Sequence, residues 1–432
     1  MSRLRAIDGL RGVAALSVLA YHAWLYSLPR VSSSTRETAF DSAAHELRLG
    51  LVLFFVLSGY LLFGPWVRSA LEDRPGPRLR PYALRRAARI LPAYWVALVG
   101  SIALVWPIEG TAGVRLPPAE DLWLFAVLGQ NFKEATLLKL DPPMWTLTVE
   151  ATFYLALPVL GAVALALRGR GGRWTLAAVP LAFLALGVAW NWWIAERDLP
   201  LTVTKVLPAM APYFAVGMLA AVAAHGRTAG SRARGWLLVA GALLVAGDAV
   251  WHGLGAAEGS SWVELRIVRD LPAAAGFALV VAASATAASV PRILGSAPLA
   301  RAGLWSYGLY LWHVPVLVWL RSKGLLPSDA LLALAVAAPP SLALAALSWR
   351  YVEEPALSWA RQRSWASRPG STVPVPSHQG QSTVEGEPPR FETTFPVPRQ
   401  GGHGVGAGVS GSSSAALKAR ARVAPFGQGT RS

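Results

Sequence analysis

The sequence predicts an all-α membrane protein: a polytopic bundle of about ten transmembrane helices with a re-entrant or interfacial segment and a disordered C-terminal tail. Three observations carry this. Of 432 residues, 54% are hydrophobic and only 15% charged, and the mean hydropathy is +0.41. Residues 1–360 repeat one long apolar run after another, separated by short polar stretches, the pattern of a chain that crosses a ~30 Å hydrocarbon core many times. The arginines concentrate in alternate connecting segments, as expected where cytoplasmic loops hold the positive charge.

The first span, 9–28, is longer than the apolar stretch of a secretory signal. It carries Tyr21, His22 and Trp24 where small residues would precede a cleavage site, so it reads as retained. The second, 47–66, and the third, 91–107, flank Arg68, Arg74, Arg78, Arg80, Arg85, Arg86 and Arg89. The fourth and fifth, 145–167 and 174–193, flank Arg168, Arg170 and Arg173; the sixth and seventh, 207–224 and 236–253, flank Arg227, Arg232 and Arg234. The eighth and ninth, 270–288 and 304–320, flank Arg292 and Arg301, and 329–348 is the tenth. This count puts both termini in the cytoplasm and the protein in the inner (plasma) membrane. Residues 122–132, L-W-L-F-A-V-L-G-Q-N-F, are apolar but too short to cross. A crossing there would also move R-G-R-G-G-R at 168–173 outside, so the segment reads as re-entrant or interfacial. Two regions result: a membrane domain, 1–360, and a basic Ser/Gly/Pro-rich tail, 361–432, whose composition buries no core and suits weak attraction to anionic lipid.

With no cysteine, disulfides and thiolate chemistry are excluded. The seven histidines show no metal-ligand spacing, so no metal is expected. The net charge of +16 has its first explanation in arginine-rich loops and not in nucleic acid, which is not expected as a partner.

Polar groups interrupt the spans in a few places. Arg11 and His22 lie eleven residues apart on the first helix, roughly 16 Å along its axis. This ties a cation near one membrane face to an imidazole deep in the bilayer; ionisable groups there are costly and suggest function. Each alone also fits a blander duty, interface anchor for Arg11 and bundle hydrogen bond for His22. Ser58 and Gly59, in F-F-V-L-S-G-Y at 54–60, favour close helix packing over catalysis. In W-T-L-T-V-E-A-T-F-Y, Glu150 and Tyr154 share a helix face. Glu150 lies about one turn inside the outer end of its span, so it either pairs with His22 as the carboxylate that makes a general base or keeps its head in interfacial water. Ser306, Tyr310 and His313 fall at i, i+4 and i+7, a stripe that reads equally as cavity lining or as an inter-helix hydrogen-bond seam. Arg85, Arg86 and Arg89, in R-R-A-A-R-I-L-P, cluster on one helix face; they fit a phosphate site, and orientation by the positive-inside rule alone explains them as well.

Together, Arg11 with His22, the segments 54–60, 85–92, 145–154 and 306–315, and Y-V-E-E-P at 351–355 resemble acyltransferase family 3, the polytopic bacterial membrane O-acyltransferases. The resemblance covers residues 3–358. It implies transfer of an acetyl or other short acyl group from cytoplasmic acyl-CoA to a hydroxyl of a carbohydrate or glycosylated acceptor. Acyl-CoA is then a co-substrate and no cofactor is permanently bound. On that basis Arg11, Arg85, Arg86 and Arg89 hold the CoA phosphates, and His22, oriented by Glu150, is the general base. Tyr154, Ser306, Tyr310 and His313 are candidate oxyanion or acceptor contacts. A transporter or flippase of a glycolipid or acylated metabolite is the alternative, but the one-sided arginine cluster suits it less.

Overall fold

The apolar runs fold, in the computed structural model, into helices. The model describes residues 2–32, 38–197, 199–253, 270–287 and 294–366, and no strand occurs among them. All belong to one unit, Met1–Thr383. The helices are α1 (Ser2–Ser27), α2 (Ala39–Glu46), α3 (Leu49–Leu71), α4 (Leu79–Val105), the one-turn α5 (Leu122–Ala126), α6 (Trp145–Ala166) and α7 (Gly172–Ala195). There follow α8 (Leu207–Ala224), α9 (Ser231–Gly253), α10 (Leu271–Ala285), α11 (Ala297–Leu304), α12 (Ser306–Ser322), α13 (Ala330–Ser348) and α14 (Glu354–Ala366). A π-helical turn, Trp349–Glu353, joins the last two.

Seven helical segments among the described residues are long and apolar enough to cross a membrane: Ala39–Leu71, Leu79–Ile108, Pro142–Ala166, Gly172–Ala195, Leu201–Ala224, Ser231–Gly253 and Ala330–Arg363. The other three expected spans fall on helices that miss this standard for physical reasons. Helix α1 carries Arg5, Asp8, Arg11 and His22, which dilute its apolar character. Helix α10 has only 15 residues, about 22 Å of rise. Helix α12 has 17 residues and carries Tyr307, Tyr310, His313 and Arg321. Residues 122–132 form α5, a turn with Leu128 at φ 59, and a 3-10 turn at Gln130–Phe132, not a spanning helix. Tyr94 and Trp95 of α4 donate to the carbonyls of Phe125 and Ala126, tying the segment down. Helix α14 runs to Ala366; the rest of the expected tail lies outside the described residues.

Small residues set the closest helix approach. A Cβ on Gly59 of α3 would collide with the Phe214 carbonyl of α8, and one on Gly217 of α8 with the Val56 carbonyl of α3. The backbones therefore touch where lipid tails give helices no hydrophobic reason to associate. Phe55, Phe153, Phe214 and Met218 close the core around this contact. Gly59→Val should overpack it, at a cost of about 1–3 kcal/mol or more. Thermal unfolding of the detergent-solubilised protein should show a clear drop in midpoint, whereas Gly64→Val, at a glycine with open space, should not.

Candidate active site

The site is assembled by α1, α3, α4, α6 and α12, and it has two halves. In the first, His22 and His313 face each other with ring centroids 4.8 Å apart. His22 Nδ1 lies 2.9 Å from the Val18 carbonyl and His313 Nδ1 3.0 Å from the Leu309 carbonyl, each one turn back on its own helix. A carbonyl only accepts, so both neutral rings carry their proton on Nδ1. His313 Nε2, 3.1 Å from His22 Nδ1, then presents a lone pair to that same N–H. The lone pair left for a substrate is on His22 Nε2. His22 lines a cavity of about 510 Å³ together with Tyr21, His45, Arg48, Trp145 and Tyr310.

The second half is charged. Arg89 Nη1 donates to Glu353 Oε2 at 2.8 Å, and its guanidinium lies 5.4 Å from the Tyr307 ring centroid and 5.8 Å from that of Trp349. The Arg86 guanidinium is 5.6 Å from the ring of Tyr154. Tyr154 donates to Glu150 Oε1 at 2.5 Å, and Ser58 donates to the same oxygen at 3.3 Å. Arg11 lies in the field of Arg89, Asp8, Glu150 and Tyr154. Arg86 Nε is buried with no acceptor among the described residues. Arg11, Arg86 and Arg89 thus form one cluster, and Arg85 stands aside, with its neighbour Arg86 as the cation acting on it.

The expected pairing of Glu150 with His22 is corrected. Among the described residues no hydrogen bond or ion pair joins them; His313 takes the place next to His22, and Glu150 belongs to the arginines. Depth explains this. Thr146 of α6 meets Tyr310 of α12 at 2.7 Å, which sets the two helices at one level. From there α6 carries Glu150 four residues towards Arg86, while α12, running the other way, carries His313 three residues away. The two are separated by roughly 10 Å along the bundle axis. The tyrosines are corrected as oxyanion donors too. Tyr154 commits its proton to Glu150, and Tyr310 donates to the Pro143 carbonyl at 2.9 Å. Ser306, at the first turn of α12, is buried without a partner among the described residues and does not line the cavity.

One group was not legible in the sequence. Arg48 bridges Glu46 at 2.8 Å and Asp270 at 2.7 Å, and His45 bonds the other oxygen of Glu46 at 2.8 Å. The run H-E-L-R at 45–48 was the available signal, but its partner lies 222 residues away from Arg48. Glu46, His252 and Asp270 place ligand-type atoms within 4.8 Å of one another. The guanidinium of Arg48 already sits between the two carboxylates as their cation, so the group reads as an ion network and not as a metal centre.

The chain matches, over residues 4–350, the model of the family described as acyltransferase domain, and it belongs to that family. It is a multi-pass membrane acyltransferase by family and by its apolar helices. It is similar to nodulation protein 10 of Rhizobium leguminosarum bv. viciae, 26% identical over 375 residues, 81% of this chain and 92% of that protein. It is also similar to a putative O-acetyltransferase of Staphylococcus aureus (strain COL), 26% identical over 168 residues, 37% of this chain and 25% of that protein. Peptidoglycan O-acetyltransferase OatA of Listeria monocytogenes serovar 1/2a is 26% identical over 161 residues, 35% of this chain and 23% of that protein. The match thus spans about a quarter of the length of the last two. No solved structure matches.

Beside the cavity wall, Asp141 is 1% exposed, and neither carboxylate oxygen has a hydrogen-bond partner among the described residues. Burial holds its carboxyl well above the usual range. A raised folded-state pKa means that folding takes up a proton at pH between the unfolded value of about 3.9 and the raised folded value, so Asp141 costs stability as pH rises through that window. Asp141→Asn should melt higher than wild type at pH 8, and the gap should close as the pH approaches 4.

Proposed function

We propose that the protein transfers a short acyl group, acetyl in the simplest case, from cytoplasmic acyl-CoA to a hydroxyl of a carbohydrate or glycosylated acceptor. We also propose that ten helices cross the membrane, with both termini cytoplasmic. The observation that carries the reading is the arrangement of the two halves: a neutral imidazole with a free Nε2 on a cavity, and a cationic cluster with an unsatisfied buried donor about two helical turns away. Family membership and the relatives named O-acetyltransferases support it.

In this reading the acyl donor rests its phosphates on Arg11, Arg86 and Arg89. Guanidinium groups suit phosphate because their N–H pairs match its oxygens. The pantetheine arm runs outward between α1, α4 and α12, and the acceptor enters the cavity, where Tyr21 and Trp145 offer faces to a sugar ring. His22 Nε2 takes the proton of the acceptor hydroxyl as its oxygen attacks the thioester carbonyl. The C–S bond breaks as the tetrahedral adduct collapses, and the thiolate leaves with the proton returned by His22. The transient imidazolium keeps its Nδ1–H on the lone pair of His313 Nε2, which holds the ring and spreads the charge.

The test is transfer of label from acetyl-CoA to membrane fractions by the purified protein. His22→Ala should abolish it without loss of inserted protein. His313→Ala should slow it by roughly 10²–10⁴, the range of general acid–base effects. The double variant should be little worse than His22→Ala, because groups acting as a unit are not additive. Transfer by His22→Ala at the wild-type rate would refute the reading.

A further inference from the structure

We propose that Glu353 is a positioning residue for the acyl donor. It fixes the guanidinium of Arg89 so that its remaining donors face the donor phosphates. This deepens the reading above and rests on it.

The geometry around Glu353 is built, not incidental. Its side chain is 1% exposed, yet the adjacent Glu354, in the same Y-V-E-E-P run, is 44% exposed and pairs with Arg350 at the surface. Glu353 is the last residue of the π-helical turn Trp349–Glu353, and Glu354 opens α14. A single π turn inserts one residue into a helix and rotates the residues beyond it, a local strain that recurs at functional sites. Here Glu353, at the end of that turn, lies on the inward face. The carboxylate reaches two side-chain donors. Ser348 Oγ lies 3.4 Å from Oε1 and Arg89 Nη1 bonds Oε2 at 2.8 Å, and the backbone N–H of Gly308 favours the charged form of the carboxylate. Gly308 stands in the first turn of α12, where backbone N–H groups lack helical partners and favour an anion. The space is cut to fit: a Cβ on Gly308 would lie 3.2 Å from Glu353 Oε1 and 3.0 Å from Ala345 Cα.

Arg89 is held by one ion pair and two aromatic rings. The ion pair fixes one of its five N–H donors, and the rings of Tyr307 and Trp349 set its plane. Tyr307 is itself fixed by its hydroxyl, which donates to the Ile90 carbonyl at 2.9 Å. None of the other N–H groups of Arg89 is sealed without a partner, unlike Arg86 Nε. Glu353 has a second effect. Arg11 and Arg89 repel each other, and a carboxylate in the field of both lets two cations stand close without displacing either. Packing alone would not need a carboxylate here; a buried ion pair is weak evidence for stability.

The experiment measures steady-state kinetics and binding of coenzyme A itself, by calorimetry, for full-length wild type, Glu353→Gln, Glu353→Asp, Arg89→Lys and the exchange pair Arg89→Glu with Glu353→Arg. Glu353→Gln should raise the donor KM and the Kd for coenzyme A by roughly tenfold or more, the scale of one charged hydrogen bond. Acceptor KM should stay put and kcat should fall less. Glu353→Asp should recover part of the loss. The exchange pair should restore accumulation in the membrane but not coenzyme A binding. If Glu353→Gln accumulates poorly, Glu353→Asp and the exchange pair carry the comparison. If Arg89→Lys weakens coenzyme A binding and Glu353→Gln does not, the positioning role is overturned and the donor reading stands. If the exchange pair binds coenzyme A as wild type does, Glu353 is only structural. If neither Arg89→Lys nor Glu353→Gln changes binding, the donor reading itself fails.

Discussion

An apolar interior does not tolerate a lone charge, and that constraint organises this protein. Several of the charged groups in this interior are held by partners, some drawn from other helices. Arg89 is paired with Glu353, Glu150 takes protons from Tyr154 and Ser58, and Arg48 bridges Glu46 and Asp270. Arg89 with Glu353, Ser58 with Glu150 and Arg48 with Asp270 join chain segments far apart in sequence, so they fix which helices meet. They also divide the site. Arg11, Arg86 and Arg89 gather on one side, and on the other two imidazoles bond each other as neutral rings. A charged half suits the phosphates of an activated donor, and a neutral half keeps a lone pair ready to accept a proton.

The packing serves the same division. Helices α3 and α8 meet backbone to backbone at Gly59 and Gly217, which sets the platform from which Ser58 reaches Glu150. Tyr310 and Thr146 lock α12 to the start of α6, between the two halves. The hydroxyls of Tyr154 and Tyr310, expected as partners for a reacting oxygen, are instead struts. Their protons are spent on Glu150 and on the Pro143 carbonyl.

Much of this was legible in the sequence because helical periodicity is local. The spacing of Arg11 and His22, the stripe through Tyr310 and His313, and the small residues at 58–59 depend only on 3.6 residues per turn. Relative depth is not local. Glu150 looked level with His22 when both were counted from the ends of their spans, but α6 begins beside Tyr310, part-way along α12, so the count started from the wrong height. The choice between Glu353 and Glu354 was equally hidden, since a π turn leaves no mark in the apolar pattern. Arg48 and Asp270 were out of reach for a third reason: no periodic pattern connects residues 222 apart.

The central claim is that the donor reaches the site from the arginine face and the hydroxyl from the cavity face. The most direct measurement is transfer in sealed proteoliposomes of known orientation, with labelled acetyl-CoA supplied to one side at a time. A cysteine introduced at the exposed Thr228, between α8 and α9, marks the arginine face, because the native chain has no other thiol. The account predicts product only when acetyl-CoA is on the side where that cysteine is labelled. Product formed only from the opposite side, with that side verified by the same label, would contradict it.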